Sequence, residues 1–445
     1  MAKLKLSDIL PNQDAAINEG YERDAVCLVC PLGFGKTLIG NRIATERIAD
    51  GVNTRCLVIA PKKLMHQWVE EPRKWDCLTP VVEAVGSSAQ RKAIIDDPAN
   101  TIVCLGIDLL KWLKETYKTL PFDLLIIDEL SKFSAAGAVS VKAMRAMRKH
   151  FTGVIALTGN PVMESPMALY AQCLVLDGGE TLGRNSEAFK REYFYALDYM
   201  GYNWALQANA DERLMKKVKP LFFQAEATDY TDSLPPLYDR VIEVELPSDA
   251  KALYSKIANE MLLEMESGAE IEASNAAVLS SKFEQIAQGA LYDTESDYHA
   301  VHSAKMDKLK ALIAKGDARQ VVVYYFKYEL EWLKQAYPDA IVLNEDKSAL
   351  QKFETDPNAL LLIHPKSASH GLNLQSASRM ICTKPIWSAD QWSQIVARIH
   401  RRGQQAEFCE RLTLVASGTV DEVILARVEG KQQSGSALLD HLKTV

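Results

Sequence analysis

Short, strongly apolar runs recur along the chain, and they constrain the fold more than any other feature of the sequence. In the first third of the chain these runs end at Cys30, Ala60, Leu105, Ile127 and Leu157. They are rich in valine, isoleucine and leucine, and helix-length polar segments separate them, a pattern typical of a parallel β-sheet covered on both faces. Ligands of such sheets gather at the carboxyl ends of the strands, so we expect the functional residues directly after the runs.

A second series of apolar runs starts after Ser303 and predicts another α/β unit. Its runs are VVVYYF, AIVL, LLLI, RMIC and RLTLV. Between the two series, an aromatic-rich pattern from Met163 to about Thr228 predicts an inserted helical subdomain, and the adjacent prolines of DYTDSLPPLYDR indicate a linker. We therefore predict an α/β protein with two parallel-sheet lobes in tandem and helical insertions between them, divided as 1–162, 163–229, 230–302 and 303–445.

The composition is that of an ordinary globular protein. Of 445 residues, 48% are hydrophobic and 24% are charged, which is enough to build sizeable cores. No apolar run approaches the roughly 20 residues that span a bilayer, and the start of the chain lacks the apolar centre of a secretory signal, so we predict a cytoplasmic location and no membrane partner. The net charge of −7 argues against coating nucleic acid through overall basicity, yet it permits a basic cleft on an acidic body.

The eight cysteines are scattered, and most of them fall inside apolar runs. This distribution predicts reduced, buried thiols in a reducing compartment. Cys27 and Cys30 form a CxxC pair, but no second pair or Cys/His cluster completes a tetrahedral site. We therefore predict no zinc centre.

The segment PLGFGKT follows the first run and has the composition of a phosphate-binding loop. Gly33 and Gly35 would let backbone N–H groups approach an anion, and a helix beginning after them would direct its positive end to the same point. Lys36 would contact the phosphates, and the hydroxyl of Thr37 would bind Mg²⁺. The strict phosphate-loop pattern has glycine where this chain has Cys30, so this segment alone is also compatible with a tight strand-to-helix turn and an exposed lysine.

Two carboxylates follow the apolar run LLII. Asp128 would hold a hydrated Mg²⁺, and Glu129 beside it would orient or activate the attacking water. In isolation, such an acidic pair would be expected to lie in a solvated loop. Because it follows a buried strand in a chain that also has a phosphate loop, we predict that the pair is catalytic.

The remaining component for phosphoryl transfer is a cation, and the segment QWSQIVARIHRRGQ can supply one. Gln394, Arg398 and Arg401 are four and three residues apart, so a helix would present them on one face. A guanidinium group on that face could act as an arginine finger. Taken alone, the segment would be an exposed basic helix, and His400 lies off the face and receives no catalytic role.

With these motifs in the same order, the chain resembles superfamily 2 helicase-type motors, and most closely the Swi/Snf-type branch of double-stranded-DNA translocases. The resemblance runs nearly from end to end, and its segments are LPNQ, PLGFGKT, LVIAPKKLMHQWVEEPRKW, DELS, LTGNP, SASHGLNLQSAS and ARIHRRGQ. The ending from Arg401 to Gln404 is the most specific segment, because Arg-x-Gly-Gln is characteristic of this branch. The resemblance implies two RecA-like lobes that bind ATP and Mg²⁺ in the cleft between them.

The resemblance also implies roles for further residues. Gln13 would recognise adenine, Gly371 and Gln394 would contact the nucleotide from the second lobe, and Thr158 with Gly159 would couple the nucleotide to movement. Contacts to the nucleic-acid backbone would come from Pro61, Lys62, Gly106, Ser367 and His370. Backbone contacts carry no sequence information, so the motor would move along double-stranded DNA with little sequence preference. Single-stranded DNA and RNA stay open as substrates, and a protein partner is expected but carries no readable motif.

The chain departs from the family pattern at several motifs, and GIDLL, from Gly106 to Leu110, matches a DNA-contacting segment only loosely. Ser131 stands where the family commonly has histidine, and Asn160 stands where it commonly has threonine. Trp68 and Trp75 belong to a family segment, yet their spacing of seven favours the core over base stacking. With 445 residues, the chain resembles the compact motors of this kind found in bacteria and their viruses.

Two other functions remain compatible with the sequence. One is a helicase that separates DNA or RNA strands, which the Arg401 to Gln404 ending disfavours. The other is a nucleotide-gated DNA-binding factor in which the DELS sequence no longer supports catalysis.

Overall fold

The computed structural model of the chain divides into two compact units, Met1–Asp232 and Ser233–Val445. Each unit is described by itself below. The structure describes residues 3–31, 33–159, 166–196, 204–225, 234–266, 273–293, 297–316, 318–346, 348–368, 372–401 and 403–430. None of the helices within these ranges is both long enough and apolar enough to cross a bilayer.

The first unit is built on a parallel sheet. Its strands are β1 (Ala25–Val29), β2 (Cys56–Ala60), β3 (Val81–Glu83), β4 (Ile102–Gly106), β5 (Leu124–Asp128), β6 (Gly153–Thr158), β7 (Phe194–Ala196), β8 (Trp204–Leu206) and β9 (Phe222–Gln224). The main sheet has the order β3–β4–β2–β5–β6–β1–β9, and β7 with β8 forms a separate antiparallel hairpin. The five apolar runs of the first third are strands of this sheet, so the prediction of a parallel sheet is confirmed.

Helices connect these strands, as parallel pairing requires. They are α1 (Pro11–Glu22), α2 (Lys36–Ala49), α3 (Met65–Arg73), α4 (Ser88–Asp96), α5 (Leu110–Thr116), α6 (Val139–Met147), α7 (Pro166–Leu176), α8 (Ser186–Tyr193) and α9 (Ala210–Val218). All five residues of β2, of β4 and of β5 are buried, because apolar side chains cover both faces of these central strands. In the register of the sheet Val29 pairs with Thr158, and Asp128 pairs with Leu157, so the loops after β1, β5 and β6 start at one edge.

The stretch from Met163 to about Thr228 differs from the prediction. It contains α7, α8 and α9, but it also contains the β7–β8 hairpin and the strand β9, which joins the main sheet beside β1. Each of these strands has three residues, too few for a period-two pattern, and their aromatic side chains fit helices equally well. Strand β3 is equally short and was missed for the same reason.

The second unit also has a parallel sheet, in the order β10–β17–β16–β13–β15–β14. Its strands are β10 (Leu237–Val244), β11 (Ala290–Tyr292), β12 (Tyr298–Ala300), β13 (Gln320–Val323), β14 (Ile341–Val342), β15 (Leu360–Ile363), β16 (Arg379–Cys382) and β17 (Cys409–Ala416). The helices are α10 (Ser248–Glu266), α11 (Ala273–Gln288), α12 (Ala304–Ile313), α13 (Lys327–Ala336), α14 (Ala349–Thr355), α15 (Pro365–Ala368), α16 (Ala389–Val396) and α17 (Val420–Val428). The prediction of two parallel-sheet lobes is thereby confirmed.

Two buried ion pairs attach α11 and α12 to the rest of the second unit. Lys384, which follows β16, pairs with Glu284 on α11, and both side chains are almost fully buried. Lys305 on α12 pairs with Asp421 on α17, and its Nζ also donates to Gln288 Oε1 at 2.9 Å. Burial lowers the pKa of Lys305 despite the opposing effect of the Asp421 carboxylate.

Candidate functional site

The phosphate-loop candidate connects β1 to α2 through two left-handed glycines. Gly33 has φ of 80° and Gly35 has φ of 88°, and α2 begins at Lys36. Phe34 between the glycines is fully buried and therefore anchors the loop, and its N–H donates to Pro31 O at 3.1 Å. The loop thus combines glycine backbone with a helix amino terminus, the arrangement that favours an anion.

Gln13 on α1 contacts this loop directly. Its Nε2 donates to Phe34 O at 2.7 Å, and its Oε1 accepts from Leu10 N at 3.0 Å. A Cβ at Gly35 would lie 2.8 Å from Gln13 Nε2, so a side chain there would displace the Gln13 amide, and the positive φ favours glycine. Gln13 therefore ties the start of α1 to the phosphate loop.

Cys30 is also part of the loop entrance. Its N–H donates to Thr158 O at 2.9 Å, which continues the pairing of β1 with β6. Burial raises the pKa of the Cys30 thiol to about 12, so the side chain is an inert part of the interior. The residue that departs from the strict phosphate-loop pattern is thus a packing residue.

Asp128 is the last residue of β5 and is only 6% exposed. Trp68 Nε1 donates to Asp128 Oδ2 at 2.8 Å. Burial raises the pKa of Asp128, although the Trp68 hydrogen bond and the Lys36 charge oppose the rise. The predicted burial of Trp68 is confirmed at 0% exposure, but its contact with the acidic motif was not foreseen.

Glu129 lies at the centre of a cluster of polar side chains. Its Oε1 accepts hydrogen bonds from Ser131 Oγ at 2.7 Å and Thr158 Oγ1 at 2.9 Å, and its Oε2 lies 3.5 Å from Lys36 Nζ. The backbone of Glu129 is left-handed with φ of 70°, and its N–H donates to Leu157 O at 2.9 Å. Strained backbone of this kind costs about 1–3 kcal/mol and is concentrated at functional sites.

The charges of Lys36 and Glu129 stabilise each other. Burial lowers the pKa of Lys36, but the charges of Glu129 and Asp128 outweigh burial, so the pKa is raised. Burial likewise raises the pKa of Glu129, but the Lys36 charge and the hydroxyls of Ser131 and Thr158 outweigh it, so this pKa is lowered. The cluster therefore contains an ammonium group and a carboxylate that are both charged at neutral pH.

The remaining site candidates of the first unit lie at the same edge of the sheet. Pro61 is buried directly after β2, Lys62 beside it is exposed, and Gly106 ends the neighbouring strand β4. Ala60 pairs with Gly106, so these positions are adjacent. Thr37 lies in the first turn of α2 after Lys36, and Gly159 follows Thr158 at the end of β6.

In the second unit the predicted arginine helix is shorter than expected. Gln394 is buried on α16, but this helix ends at Val396, so Arg398 and Arg401 lie half-buried in the turns that follow. The prediction of one continuous helical face is therefore wrong.

Hydrogen bonds to the backbone hold the turns that follow the helix. Leu374 N donates to Arg398 O at 3.1 Å, and Gln404 Nε2 donates to Ile399 O at 2.9 Å and to Ala377 O at 2.9 Å. The bonds to Arg398 O and Ile399 O engage carbonyls that a continuing helix would use. Gln404, the last residue of the Arg-x-Gly-Gln ending, thus has a structural role that the motif alone did not reveal.

Ser367 is half-buried on α15, and its Oγ accepts a hydrogen bond from Asn344 Nδ2. His370 and Gly371 lie outside the described residues, as do Asn160 and Arg402. The structure thus brings together the first-unit candidates, whereas only Gln394, Arg398, Arg401 and Ser367 are placed in the second unit.

Comparison with known proteins gives matches over most of the chain. Residues 23–288 match the family model described as the SNF2-related domain, and residues 304–403 match the helicase conserved C-terminal domain. Protein p41 of Acyrthosiphon pisum secondary endosymbiont phage 1 is 29% identical over 97% of this chain and 98% of its own length.

Two further relatives are more distant. The uncharacterized ATP-dependent helicase YqhH of Bacillus subtilis is 22% identical over 88% of this chain and 72% of its own length. The mouse SWI/SNF-related matrix-associated actin-dependent regulator of chromatin subfamily A member 1 is 24% identical over 86% of this chain. The match spans only 38% of the length of that mouse protein.

Proposed function

The chain belongs to the SNF2-related family, and from this premise we propose that it is an ATP-driven motor that moves along double-stranded DNA with little sequence preference. As a member of this family it is a helicase-like, nucleic-acid-dependent ATPase. The observation that carries the proposal is the contact of Glu129 with Lys36, Ser131 and Thr158 beside a glycine loop and a helix amino terminus. Phosphoryl transfer requires these components in one place.

The loop and α2 would hold the triphosphate. Backbone N–H groups around Gly33 and Gly35 and the amino terminus of α2 would bind the phosphate oxygens, and Lys36 would exchange its contact with Glu129 for the phosphates. Gln13 would contact the adenine while staying attached to the loop.

The residues present fit Mg²⁺. The hydroxyl of Thr37 and the carboxylate of Asp128 are oxygen donors of the kind that Mg²⁺ takes in small number while it keeps several waters. Burial raises the pKa of Asp128, and a divalent cation would favour its ionised form. When bound, the ion would neutralise charge that develops on the phosphate oxygens.

Glu129 would orient the attacking water and accept its proton. When Lys36 moves to the phosphates, the hydroxyls of Ser131 and Thr158 still hold the Glu129 carboxylate. The serine that replaces the usual histidine of the acidic motif is thus compatible with catalysis. Arg398 and Arg401 would supply the positive charge that stabilises the transferring phosphoryl group, and Gln394 and Gly371 would contact the nucleotide.

The nucleic acid would be held through its backbone by Pro61, Lys62, Gly106, Ser367 and His370. The name of the mouse relative refers to chromatin, which supports double-stranded DNA as the substrate. The phage relative supports a bacterial cell, or a bacterial host infected by a virus, as the place of action. Strand separation is the alternative activity, because one relative is named as an ATP-dependent helicase.

ATP turnover measured with duplex DNA, single-stranded DNA and RNA tests the proposal. We expect duplex DNA to stimulate turnover most, and we expect Lys36→Ala and Glu129→Gln to abolish the stimulated rate. Triplex displacement without strand displacement would identify a translocase, whereas displacement of a paired strand would identify a helicase. Unchanged turnover in both variants would contradict the assignment of the site.

A further inference from the structure

A cavity of about 340 Å³ lies in the first unit, away from the phosphate loop. The residues around it belong to the end of α6, the turn before β6 and the loop after α7, and they are Arg145, Ala146, Arg148, Lys149, Asp177, Gly178, Glu180 and Arg184. Arg148 and Lys149 precede the first residue of β6, whereas Thr158 of the catalytic cluster ends that strand. The cavity therefore lies at the amino ends of the strands, the opposite edge from Lys36.

The loop after α7 is organised by one of the two acidic side chains at the cavity. Asp177 Oδ1 accepts from Gly179 N at 2.8 Å and from Glu180 N at 3.2 Å, and Asp177 Oδ2 accepts from Thr181 N at 2.8 Å. Asp177 is only 8% exposed. Its charge is thus engaged by backbone donors of its own loop.

Glycines of the same loop make room for two of the arginines. Gly178 and Gly179 are left-handed, with φ of 71° and 84°. A Cβ at Gly179 would lie 2.9 Å from Arg184 Cγ, and a Cβ at Gly178 would lie 3.3 Å from Arg148 Cγ. The absence of side chains at these two glycines leaves room for the arginine stems along the loop.

Backbone carbonyls then hold both guanidinium groups. Arg148 donates from Nε to Leu176 O at 2.7 Å and from Nη1 to Phe151 O at 2.7 Å, and Arg184 donates from Nε to Gly178 O at 3.0 Å. Carbonyl oxygens orient a guanidinium group but do not neutralise its charge, and most of its five N–H donors stay available.

The basic side chains at the cavity form no close ion pair, although the carboxylates of Asp177 and Glu180 favour the charged form of Arg148. Within the described part of the chain, no ion pair involves Arg145, Arg148, Lys149 or Arg184, whereas Arg42 on the same unit is paired with Glu46. The four basic side chains outnumber the two acidic ones in a protein whose net charge is −7. An anion from outside would supply the missing partner.

We propose that this cavity binds a phosphate group. Its volume is near the lower end of the roughly 300–1,000 Å³ of small-ligand sites, which suits one or two phosphate groups. Arginine is suited to this ligand because its planar N–H donors match two phosphate oxygens. The phosphate belongs either to a small phosphorylated molecule or to a nucleic-acid backbone, and neither source requires ATP turnover at the Lys36 site.

Calorimetric titration with pyrophosphate tests the cavity in the full-length chain. The titration uses a Lys36→Ala background, so that the proposed nucleotide site does not contribute. The test variant adds Arg145→Gln and Lys149→Gln, which change two exposed side chains. The control adds Lys118→Gln and Lys142→Gln, which remove the same charge from exposed positions of the same unit. We expect the test variant to bind pyrophosphate at least 10-fold more weakly than the control.

The salt dependence of duplex-DNA binding separates the two sources of the phosphate. If the source is the DNA backbone, the slope of log affinity against log salt falls by about 1–2 relative to the control, since each lost phosphate contact contributes about 0.9. If the source is a small molecule, pyrophosphate binding falls while the slope stays equal to that of the control. The proposal is overturned if neither pyrophosphate affinity nor the slope differs between the test variant and the control.

Discussion

Glu129 is held by two hydroxyl groups, and this contact gives a specific role to the residue that departs from the family pattern. Ser131 Oγ donates to Glu129 Oε1 at 2.7 Å, and Thr158 Oγ1 donates to the same oxygen at 2.9 Å. Neither hydroxyl depends on the lysine that must leave for the phosphates. We therefore propose that the Ser131 contact keeps the carboxylate in position during the reaction.

Replacing Ser131 by alanine should lower kcat for ATP by about 10-fold and leave KM unchanged. A hydrogen bond to a charged group contributes about 1.5–3 kcal/mol, and 1.4 kcal/mol corresponds to a factor of ten in rate. Ser131→Thr, which keeps a hydroxyl, should restore kcat. Ser134→Ala is the matched control, because Ser134 is exposed three residues away. Steady-state kinetics with saturating DNA measures the effect, and an equal loss in the alanine and threonine variants would contradict it.

The positions of several proposed site residues could be predicted from the sequence because these residues lie at the ends of strands. Lys36, Asp128 and Glu129 are of this kind, since the carboxyl ends of parallel strands lie at one edge of the sheet. Contacts made by side chains from distant segments could not be predicted in the same way. The spacing of Trp68 indicates burial, but only tertiary packing places its indole N–H on Asp128.

At the scale of secondary-structure elements, α11 is attached to the second sheet by buried charges. The Glu284 carboxylate accepts hydrogen bonds from Lys384 Nζ and, at 2.8 Å, from Trp387 Nε1. Two residues of the segment between β16 and α16 therefore contact one carboxylate. Lys384 Nζ further lies 4.2 Å from the centre of the Tyr325 ring. The attachment of α11 therefore depends on a few side chains that contact one another and have little access to water.

Replacing Lys384 by methionine should destabilise the second unit by about 3–5 kcal/mol, because it leaves the Glu284 carboxylate buried without its cation. The double variant Lys384→Met with Glu284→Met should recover most of this loss, since it removes both charges together. Urea denaturation followed by a signal of the second unit provides the measurement. Additive losses in the double variant would show that the two side chains do not interact.

His302 lies between β12 and α12 and makes the stability of the second unit depend on pH. Burial lowers its pKa, while a hydrogen bond between Nε2 and Ile286 O opposes the change and the Lys305 charge adds to it. A histidine with a lowered pKa binds more protons in the unfolded chain, so stability is full above about pH 6.5 and falls as the solution becomes more acidic.

We expect His302→Gln to reduce the loss of stability between pH 7 and pH 5.5. Urea midpoints at the two pH values measure the change, and His299→Gln serves as the control because that side chain is exposed. Burial also lowers the pKa of His364, so part of the pH dependence should persist in the variant. An unchanged difference between the two pH values would assign the dependence to other groups.

Element prediction succeeded where the strands are long and buried, and it failed where tertiary contacts decide. Each apolar run contributes a strand to one of the two sheets, although AIVL contributes only Ile341–Val342, because β-branched side chains covered on both faces have few alternatives. The strand β9 has only three residues and is stabilised by its position beside β1. The turns after α16 are held by donors from Leu374 and Gln404, and these contacts are not visible in local propensity.

At the scale of the whole molecule, the residues proposed for catalysis are divided between two units with separate sheets. Lys36, Asp128 and Glu129 belong to Met1–Asp232, whereas Arg398 and Arg401 belong to Ser233–Val445. Each unit has its own sheet and buried core, so each has the components of an independent folding unit.

A fragment of residues 1–232 should therefore bind ATP but hydrolyse it at least 100-fold more slowly than the full chain. Arginine contacts of this type contribute about 10³–10⁵ to the rate, while the phosphate loop binds the nucleotide without them. The full-length Arg398→Ala, Arg401→Ala double variant is the control for loss of these contacts alone. Nucleotide affinity and single-turnover hydrolysis are the two measurements, and a fully active fragment would contradict the assignment of the arginines.

The pairing of β9 with β1 has a consequence for how the first unit would respond to force. Gln224 pairs with Val29, and Ala225 N donates to Val29 O at 2.9 Å, immediately before the chain continues toward the second unit. A force applied to the chain after Ala225 would shear the hydrogen bonds between β9 and β1, the strand that leads into PLGFGKT. Such a force would therefore load the strand that directly precedes the phosphate loop.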